Sequence, residues 1–155
     1  MLKEHKLIVS QWVGVTDDRM FIAYYRNLCA LDERAVQFTE LIDLRQAQGS
    51  LGITVNGLMQ VGKIVAATYA KQPAVAHVVV IAPTYLTFGL ARMYQGLASP
   101  EFINFRVFRT GSEAAQALSI SQALMAEVDG LQPASERFLP LGRTEEIERS
   151  AGVAR

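Results

Sequence analysis

Few side chains in this sequence could do chemistry, and their spacing matches no known catalytic arrangement. The chain has two histidines, His5 and His77, and a single cysteine, Cys29. It contains no Ser-His-Asp arrangement and no HExxH, Walker-type or GxGxxG motif. One cysteine cannot form an intramolecular disulfide and is too isolated for a zinc site. We therefore predict a protein that is not an enzyme, with no catalytic residues, no bound metal and no cofactor.

The remaining reactive residues have ordinary structural explanations. His77 opens an apolar segment, where we expect a hydrogen-bonded core residue. Cys29 lies on the inward part of a predicted helix and should behave as a small hydrophobic residue. Glu40 is the one odd member of an otherwise apolar strand face. It lies three positions before Asp43, so the two carboxylates should face opposite sides of the sheet and not act as a pair.

The apolar residues are spaced as in alternating strands and helices. Strands are predicted at 7–13, 35–44, 76–82 and 103–109, and helices at 17–30, 54–71, 84–98 and from Ser112 onward. The strand at 76–82 is almost entirely apolar, which is typical of a central strand covered by helices on both faces. We predict a layered α/β domain with a mostly parallel or mixed sheet of four to five strands and helices packed on it.

Three local features of these helices are predicted from residue types. Thr16 is expected to be the N-cap of the first helix, with Asp17 in its first turn. The helix at 84–98 should bury one row of apolar residues, namely Leu86, Leu90, Met93 and Leu97. The last helix should continue without a break through Ala114, Leu118, Ser121, Met125 and Val128.

Composition limits the class of function. Fifteen basic and fifteen acidic residues give no net charge and no basic cluster, which disfavours nucleic-acid binding. No apolar run is long enough for a membrane span, and the first residues lack the apolar core of a signal peptide. We expect a cytoplasmic protein, with one domain at 1–130 and a C-terminal extension at 131–155 that is richer in proline, glycine and charge.

The candidate binding residues follow predicted strands. If the strands are parallel, their carboxyl ends meet at one edge, where loops and helix starts converge. That edge would collect Arg45, Thr84, Tyr85, Arg109 and Ser112, and its arginines could bind a carboxylate or phosphate. The alternative is that Thr84 and Ser112 cap helices and the arginines are simply solvated.

A second candidate is an apolar cavity between the helices and the sheet. Bulky or flexible side chains are more numerous than a small core needs; they are Trp12, Tyr24, Tyr25, Phe88, Tyr94, Met20, Met59 and Met93. They could instead be core residues or dimer contacts. The helix face with Tyr85, Gly89, Arg92 and Gly96 is a small-residue groove that another helix could approach closely.

Residues 76–118, AHVVVIAPTYLTFGLARMYQGLASPEFINFRVFRTGSEAAQAL, resemble the SpoIIAA-like proteins, the bacterial branch of the STAS-type fold. The segments that carry the resemblance are His77–Ala82, Phe88–Gln95 and Phe105–Leu118. WVGVTDD at 12–18 and ELIDLR at 40–45 fall where that family has a strand-to-helix glycine and an Asp-ending strand. The resemblance implies a compact mixed sheet with helices on its faces. It also implies a protein that is often dimeric and serves regulation or the holding of apolar ligands.

The resemblance also draws attention to Ser50. In phosphorylated STAS regulators a serine lies at the helix start after the Asp-ending strand, and Ser50 falls close to that place. Phosphorylation there would change the local charge and could switch partner binding. The usual Asp-Ser-Ser-Gly-Leu run is absent, however, and the residues around Ser50 also suit an ordinary loop.

Together these features favour a non-catalytic binding or regulatory module of the SpoIIAA-like type, acting through protein–protein contacts and forming a homodimer. Its expected contact surface is the edge with Thr84, Tyr85 and Arg109, together with Phe88 and Arg92 on the adjoining helix. The alternative is a carrier that holds a small apolar ligand or a lipid between helices and sheet.

Overall fold

The computed structural model describes residues 2–30, 38–47, 52–69, 75–97 and 103–130. Its centre is a sheet of four strands, all parallel and in the order in which they occur along the chain. They are β1 (Leu7–Gln11), β2 (Thr39–Asp43), β3 (Ala76–Ile81) and β4 (Ile103–Phe108). The predicted class, a layered α/β domain on a mostly parallel sheet, is confirmed.

Three helices cover one face of this sheet, which we call the front face. They are α1 (Asp18–Cys29), α2 (Val55–Tyr69) and α3 (Tyr85–Leu97), and each joins two neighbouring strands. Each helix leads from one strand to the next strand in the sheet, always in the same direction across it. Because such crossovers are right-handed, all three helices lie on the same side. After β4 the chain turns to the other side, the back face, where α4 (Gly111–Leu118) and α5 (Gln122–Gly130) lie.

The two faces have separate cores. The alternation of side chains along β3 sends Val78 and Val80 to the front core and Val79 and Ile81 to the back core. This explains why the strand is apolar at nearly every position. On the front face α1 contributes Phe21 and Tyr25, and on the back face α4 and α5 contribute Ala114, Ala115, Met125 and Val128.

The predicted caps of α1 and α4 are wrong by one or two residues. Asp17, not Thr16, is the N-cap of α1, and its carboxylate accepts a hydrogen bond from Met20 N at 2.8 Å. Thr16 is buried instead. At α4 the N-cap is Thr110, in a reciprocal capping box with Glu113, and Ser112 is exposed in the first turn.

The predicted continuous last helix is two helices. Ser119 adopts a left-handed conformation with φ of 55° and ends α4. Ser121 then accepts a hydrogen bond from Leu124 N at 3.1 Å and caps α5. Serine hydroxyls bond readily to nearby backbone, which favours caps and turns over helix interiors. The apolar residues of both segments are spaced as in one continuous helix, because α4 and α5 pack against the same face of the sheet.

The predicted inward row of α3 is also wrong. The residues of α3 that are buried are Thr87, Ala91 and Tyr94. Leu86 is 50 % exposed and Leu97 is exposed as well, while Leu90 and Met93 are half-buried. Thr87 faces inward with its hydroxyl bonded to Thr84, and the predicted apolar row lies to the side of the helix.

His77, expected in the core, is the exposed residue of β3. It lies near the amino end of the strand, before the buried Val79 and Ile81 of the same face. Among the described residues no helix is long and apolar enough to cross a membrane. The predicted start of β2 before residue 38, Ser50 and the extension 131–155 lie outside the described residues.

Candidate functional site

The loops that follow β3 and β4 leave the sheet in opposite directions. The first leads through Thr84 into α3 on the front face, and the second leads through Thr110 into α4 on the back face. In open parallel sheets, ligands bind in the crevice that forms where neighbouring connections diverge in this way. The structure therefore places Thr84, Tyr85 and Arg109 of the predicted edge, but not Arg45, at the one divergence among its four described strands.

Arg109 is the centre of this crevice. Its guanidinium lies over the Phe88 ring at 4.2 Å and over the Tyr85 ring at 4.8 Å from the ring centroids. Its Nη1 also donates to Pro83 O at 3.5 Å. Cation–π contacts on two rings hold the guanidinium in place. Tyr85 is 88 % exposed, so the surface beside Arg109 is aromatic and open.

Two groups beside Arg109 are already engaged. The Thr84 hydroxyl accepts from Thr87 N at 3.1 Å, and the Thr87 hydroxyl accepts from Thr84 N at 3.2 Å. Thr84 therefore caps the start of α3. The Glu113 carboxylate accepts from Arg109 N and Thr110 N, and its hydrogen bonds with Thr110 hold the pKa of Glu113 below its usual range. A negative charge therefore lies beside the crevice, which weakens it as an anion site.

Arg45 and Arg92 are held elsewhere. Arg45 forms ion pairs with Asp43 at 2.7 Å and with Asp129 at 2.5 Å, which joins the end of β2 to the end of α5. The Asp43 hydrogen bond in particular raises the pKa of Arg45 further above its usual range. Arg92 donates to Gln95 at 2.5 Å on the surface of α3. The crevice thus brings together Thr84, Tyr85, Phe88 and Arg109 but not these two arginines.

An apolar cleft with a cavity volume of about 50 Å³ lies on the front face between the helices and the sheet. Its walls are Trp12, Phe21, Tyr25, Ile42, Leu44, Ile53, Leu58, Val80, Thr87, Leu90, Ala91, Tyr94 and Phe105. Trp12, Tyr25 and Tyr94 belong to the predicted cavity set. Phe88 instead stacks on Arg109, and Met20 and Met59 are exposed.

A second, much smaller cavity of about 10 Å³ lies farther toward the amino ends of the strands, and we call it the Glu40 cavity. Its walls are Tyr25, Leu28, Cys29, Glu40, Val65, Ala76, Val78, Tyr94 and Ile103. Tyr25 and Tyr94 line both spaces, so these two rings separate the apolar cleft from the Glu40 cavity.

Glu40 is 5 % exposed and faces the front core from β2. Tyr24 donates its hydroxyl to Glu40 Oε1 and is also hydrogen-bonded to the Ser10 hydroxyl on β1. Burial raises the pKa of Glu40 to about 7, although the hydrogen bonds from Tyr24 and Ser10 act in the opposite direction. The carboxyl group therefore changes its charge close to neutral pH.

Two other titratable groups near Glu40, Tyr25 and Cys29, stay neutral at neutral pH. Burial is the main cause that raises the pKa of Tyr25, and the nearby Glu40 charge adds to it. Burial also raises the pKa of the Cys29 thiol, which lowers its reactivity because the thiolate is the nucleophile. In the part of the chain that the structure describes, no cluster of three His, Cys, Asp or Glu residues could hold a metal ion.

Sequence reasoning identified Glu40 as unusual but did not connect it with Ser10 and Tyr24. The available signal was that two otherwise apolar strands each carry one polar residue, Ser10 or Glu40, and that both residues belong to the front-facing side of their strand. The pairing of Ser10 with Ile42 in the parallel register brings these positions together, and that register is not visible in the sequence. Searches of the chain against protein-family models, curated proteins and solved structures each found no match.

Proposed function

We propose that the protein is a non-catalytic binding module that holds a small apolar molecule in the apolar cleft. The observation that carries this proposal is the composition of the cleft walls. Twelve of the thirteen lining residues are apolar or aromatic, and the hydroxyl of the remaining one, Thr87, is bonded to Thr84. Ligand pockets in proteins are typically concave and lined mostly by apolar and aromatic side chains.

The position of the cleft agrees with a ligand site. Trp12 and Leu44 follow β1 and β2 directly, so the cleft opens near the carboxyl ends of the strands, where parallel α/β proteins bind their ligands. The edge-on ring contacts of Phe21 with Tyr25 and Tyr94 give the walls a fixed shape. An aliphatic or aromatic body without charge is the occupant that such walls accept.

The test uses the single tryptophan of the chain, Trp12, which lines the cleft. N-phenyl-1-naphthylamine, a neutral apolar dye, should bind and accept excitation energy from Trp12. Leu90→Glu places a charge in the cleft wall and should weaken dye binding about tenfold or more, which corresponds to about 1.4 kcal/mol. Leu86→Glu lies one turn away on the same helix, is more exposed, and should bind the dye as the unchanged protein does. Absence of dye binding, or equal loss in both variants, would refute the proposal.

We also propose a second function, a regulatory module of the SpoIIAA-like type that contacts a second copy of the chain through α3. It is supported by exposed Leu86 and Leu97 on α3 and by exposed Tyr85 beside Arg109. Gly89 lies on the exposed side of α3, where an added side chain meets nothing within 4 Å. Gly89→Trp should therefore leave a single copy intact but block a close helix approach. Light scattering should show a dimer for the unchanged protein and a monomer for the variant; an unchanged mass would exclude this interface.

A further inference from the structure

The charges of the described helices differ between the two faces of the sheet. Within their bounds the front helices α1, α2 and α3 contain a single acid, Asp18, and four basic residues, which are Arg19, Arg26, Lys63 and Arg92. All four basic residues are exposed. The back helices contain no basic residue and three acids, which are Glu113, Glu127 and Asp129. The outer surface of the front helices is therefore positive, although the whole chain has no net charge.

The acids at the start of α1 lie apart from most of this positive charge. Asp17 caps the start of α1, and the Asp18 carboxylate accepts a hydrogen bond from Thr54 N at 2.7 Å. Both acids thus lie at the carboxyl edge of the sheet, where α1 and α2 begin. Arg26 and Lys63 lie about two turns farther along their helices, so the middle of the front surface carries basic residues alone among its charged groups.

Exposed apolar side chains lie on the same three helices. They are Met20 on α1, Val55 and Met59 on α2, and Tyr85, Leu86 and Leu97 on α3. Val55, Met59 and Lys63 are spaced four residues apart, so they share one side of α2. Tyr85 and Arg92 are seven residues apart and likewise share one side of α3. The exposed apolar and basic residues of α1, α2 and α3 therefore form one mixed surface, which we call the basic surface.

We propose that the basic surface docks the protein on an anionic lipid membrane without crossing it. The basic side chains contact the acidic lipid headgroups, and each one near such a surface strengthens binding about fivefold. Exposed apolar side chains such as Met59 and Leu86 enter the boundary between headgroups and acyl chains, as those of interfacial helices do. This docking goes beyond the proposed function and does not depend on a ligand in the apolar cleft.

Charge distinguishes a membrane from a second copy of the chain as the occupant of this surface. Two copies related by a two-fold axis bring their basic surfaces together, and like charges across an interface are unfavourable. An anionic bilayer instead presents the opposite charge to all three helices at once. A second copy that contacts α3 would cover Tyr85, Leu86 and Leu97, so the two occupants exclude each other there.

The experiment is co-sedimentation of the full chain with vesicles of phosphatidylcholine alone or of phosphatidylcholine with about one-third phosphatidylglycerol. At low salt the protein should bind the anionic vesicles about tenfold or more tightly than the neutral ones. Lys63→Glu should weaken binding to the anionic vesicles about tenfold or more, because it replaces an attraction with a repulsion. The matched control carries both Gln116→Glu and Gln122→Glu, which change the net charge equally at exposed positions of the back helices. It should bind as the unchanged protein does.

Met59→Gln tests the apolar contribution without a change of charge. It should weaken binding to the anionic vesicles by a smaller factor of about threefold, because less apolar surface is transferred from water to lipid. Lys63 and Met59 are both exposed, so neither substitution removes a core contact.

The outcomes distinguish this proposal from the others. Equal binding to both kinds of vesicle, no binding to the anionic ones, or an equal loss in Lys63→Glu and the back-helix control would overturn membrane docking. A dimer that persists with anionic vesicles present and is lost in Gly89→Trp would assign the surface to a second copy instead. Loss of vesicle binding with retained binding of the naphthylamine dye would overturn the docking alone and leave the apolar cleft as a ligand site.

Discussion

Tyr24 on α1 donates its hydroxyl to the buried carboxyl group of Glu40 on β2, and this contact links the first helix to the sheet through a group that titrates near neutral pH. The link has a consequence for stability. Burial raises the pKa of Glu40 from 4.5 to about 7, so the folded protein holds this proton more tightly than the unfolded chain does.

Glu40→Gln should therefore change how stability depends on pH. In the unchanged protein the Glu40 contribution is fully favourable below pH 4.5, declines as the pH rises to about 7, and then stays level. The total decline is on the order of 3 kcal/mol at most. Urea unfolding followed by Trp12 fluorescence should show that the variant lacks this decline and is the more stable form at pH 8. If the two proteins differ equally at pH 5 and pH 8, the acid does not titrate as described.

Gly57→Ala should destabilise the junction of α1 and α2. A Cβ at Gly57 would overlap Oδ1 of Asp18, whose carboxylate accepts from Thr54 N at 2.7 Å and from the Thr54 hydroxyl at 2.6 Å. The alanine must displace this carboxylate, and Thr54, whose hydroxyl caps α2 by accepting from Gly57 N at 3.2 Å, then loses its hydrogen bonds to Asp18, at a cost of about 1 kcal/mol. Gly62→Ala is the matched control on the same helix, where an added Cβ meets nothing within 4 Å. It should stabilise the protein by about 0.5–1 kcal/mol.

Removal of the α4 cap should distinguish the observed capping residue from the one predicted from sequence. Thr110→Ala deletes the hydroxyl that accepts from Glu113 N at 3.2 Å and should cost about 1 kcal/mol in thermal or urea unfolding. Ser112→Ala should change stability by less than about 0.5 kcal/mol, because Ser112 is exposed within the first turn. If Ser112→Ala costs more stability than Thr110→Ala, Thr110 is not the residue that caps α4.

Ser119→Gly should stabilise the turn between α4 and α5. Ser119 has φ of 55°, a left-handed conformation that costs a residue with a side chain about 1 kcal/mol and costs glycine little. Ser121→Ala, two residues later, should have the opposite effect, since it removes the acceptor for Leu124 N at 3.1 Å. Destabilisation by both variants would argue against the turn at Ser119.

Much of the fold could be predicted because its signals are local. The order of strands and helices follows from apolar periodicity, and the all-apolar β3 indicated a strand covered on both faces. The rotation of α3 could not be predicted, because the helix buries a row that contains polar Thr87, bonded to Thr84, in place of the more apolar row. The break at Ser119 was hidden for a related reason: α4 and α5 bury the same kind of residue on the same face.

The candidate site, like the fold, could be predicted only where its signals do not depend on long-range packing. The edge with Thr84, Tyr85 and Arg109 could be predicted, because parallel strands bring their carboxyl ends together whatever the side chains are. The Glu40 cavity could not be predicted. It depends on the alignment of β1 with β2, which brings Ser10 near Glu40, and on the orientation of α1, which places Tyr24 between them. Such long-range register is set by packing and not by sequence spacing.

The strand order of the sheet has a consequence for how the chain is assembled. Because each strand pairs with the one made just before it, the front half of the domain can be completed as synthesis proceeds from β1 to β4. The back face is different, since its cover comes last: Leu7, Leu41, Val79 and Ile81 stay without a helix until α4 and α5 have been made. A chain that stops after Phe108 would retain all four strands but present this apolar surface to solvent. Its expected behaviour is self-association, and the last two helices thus decide whether the nascent sheet remains a single molecule.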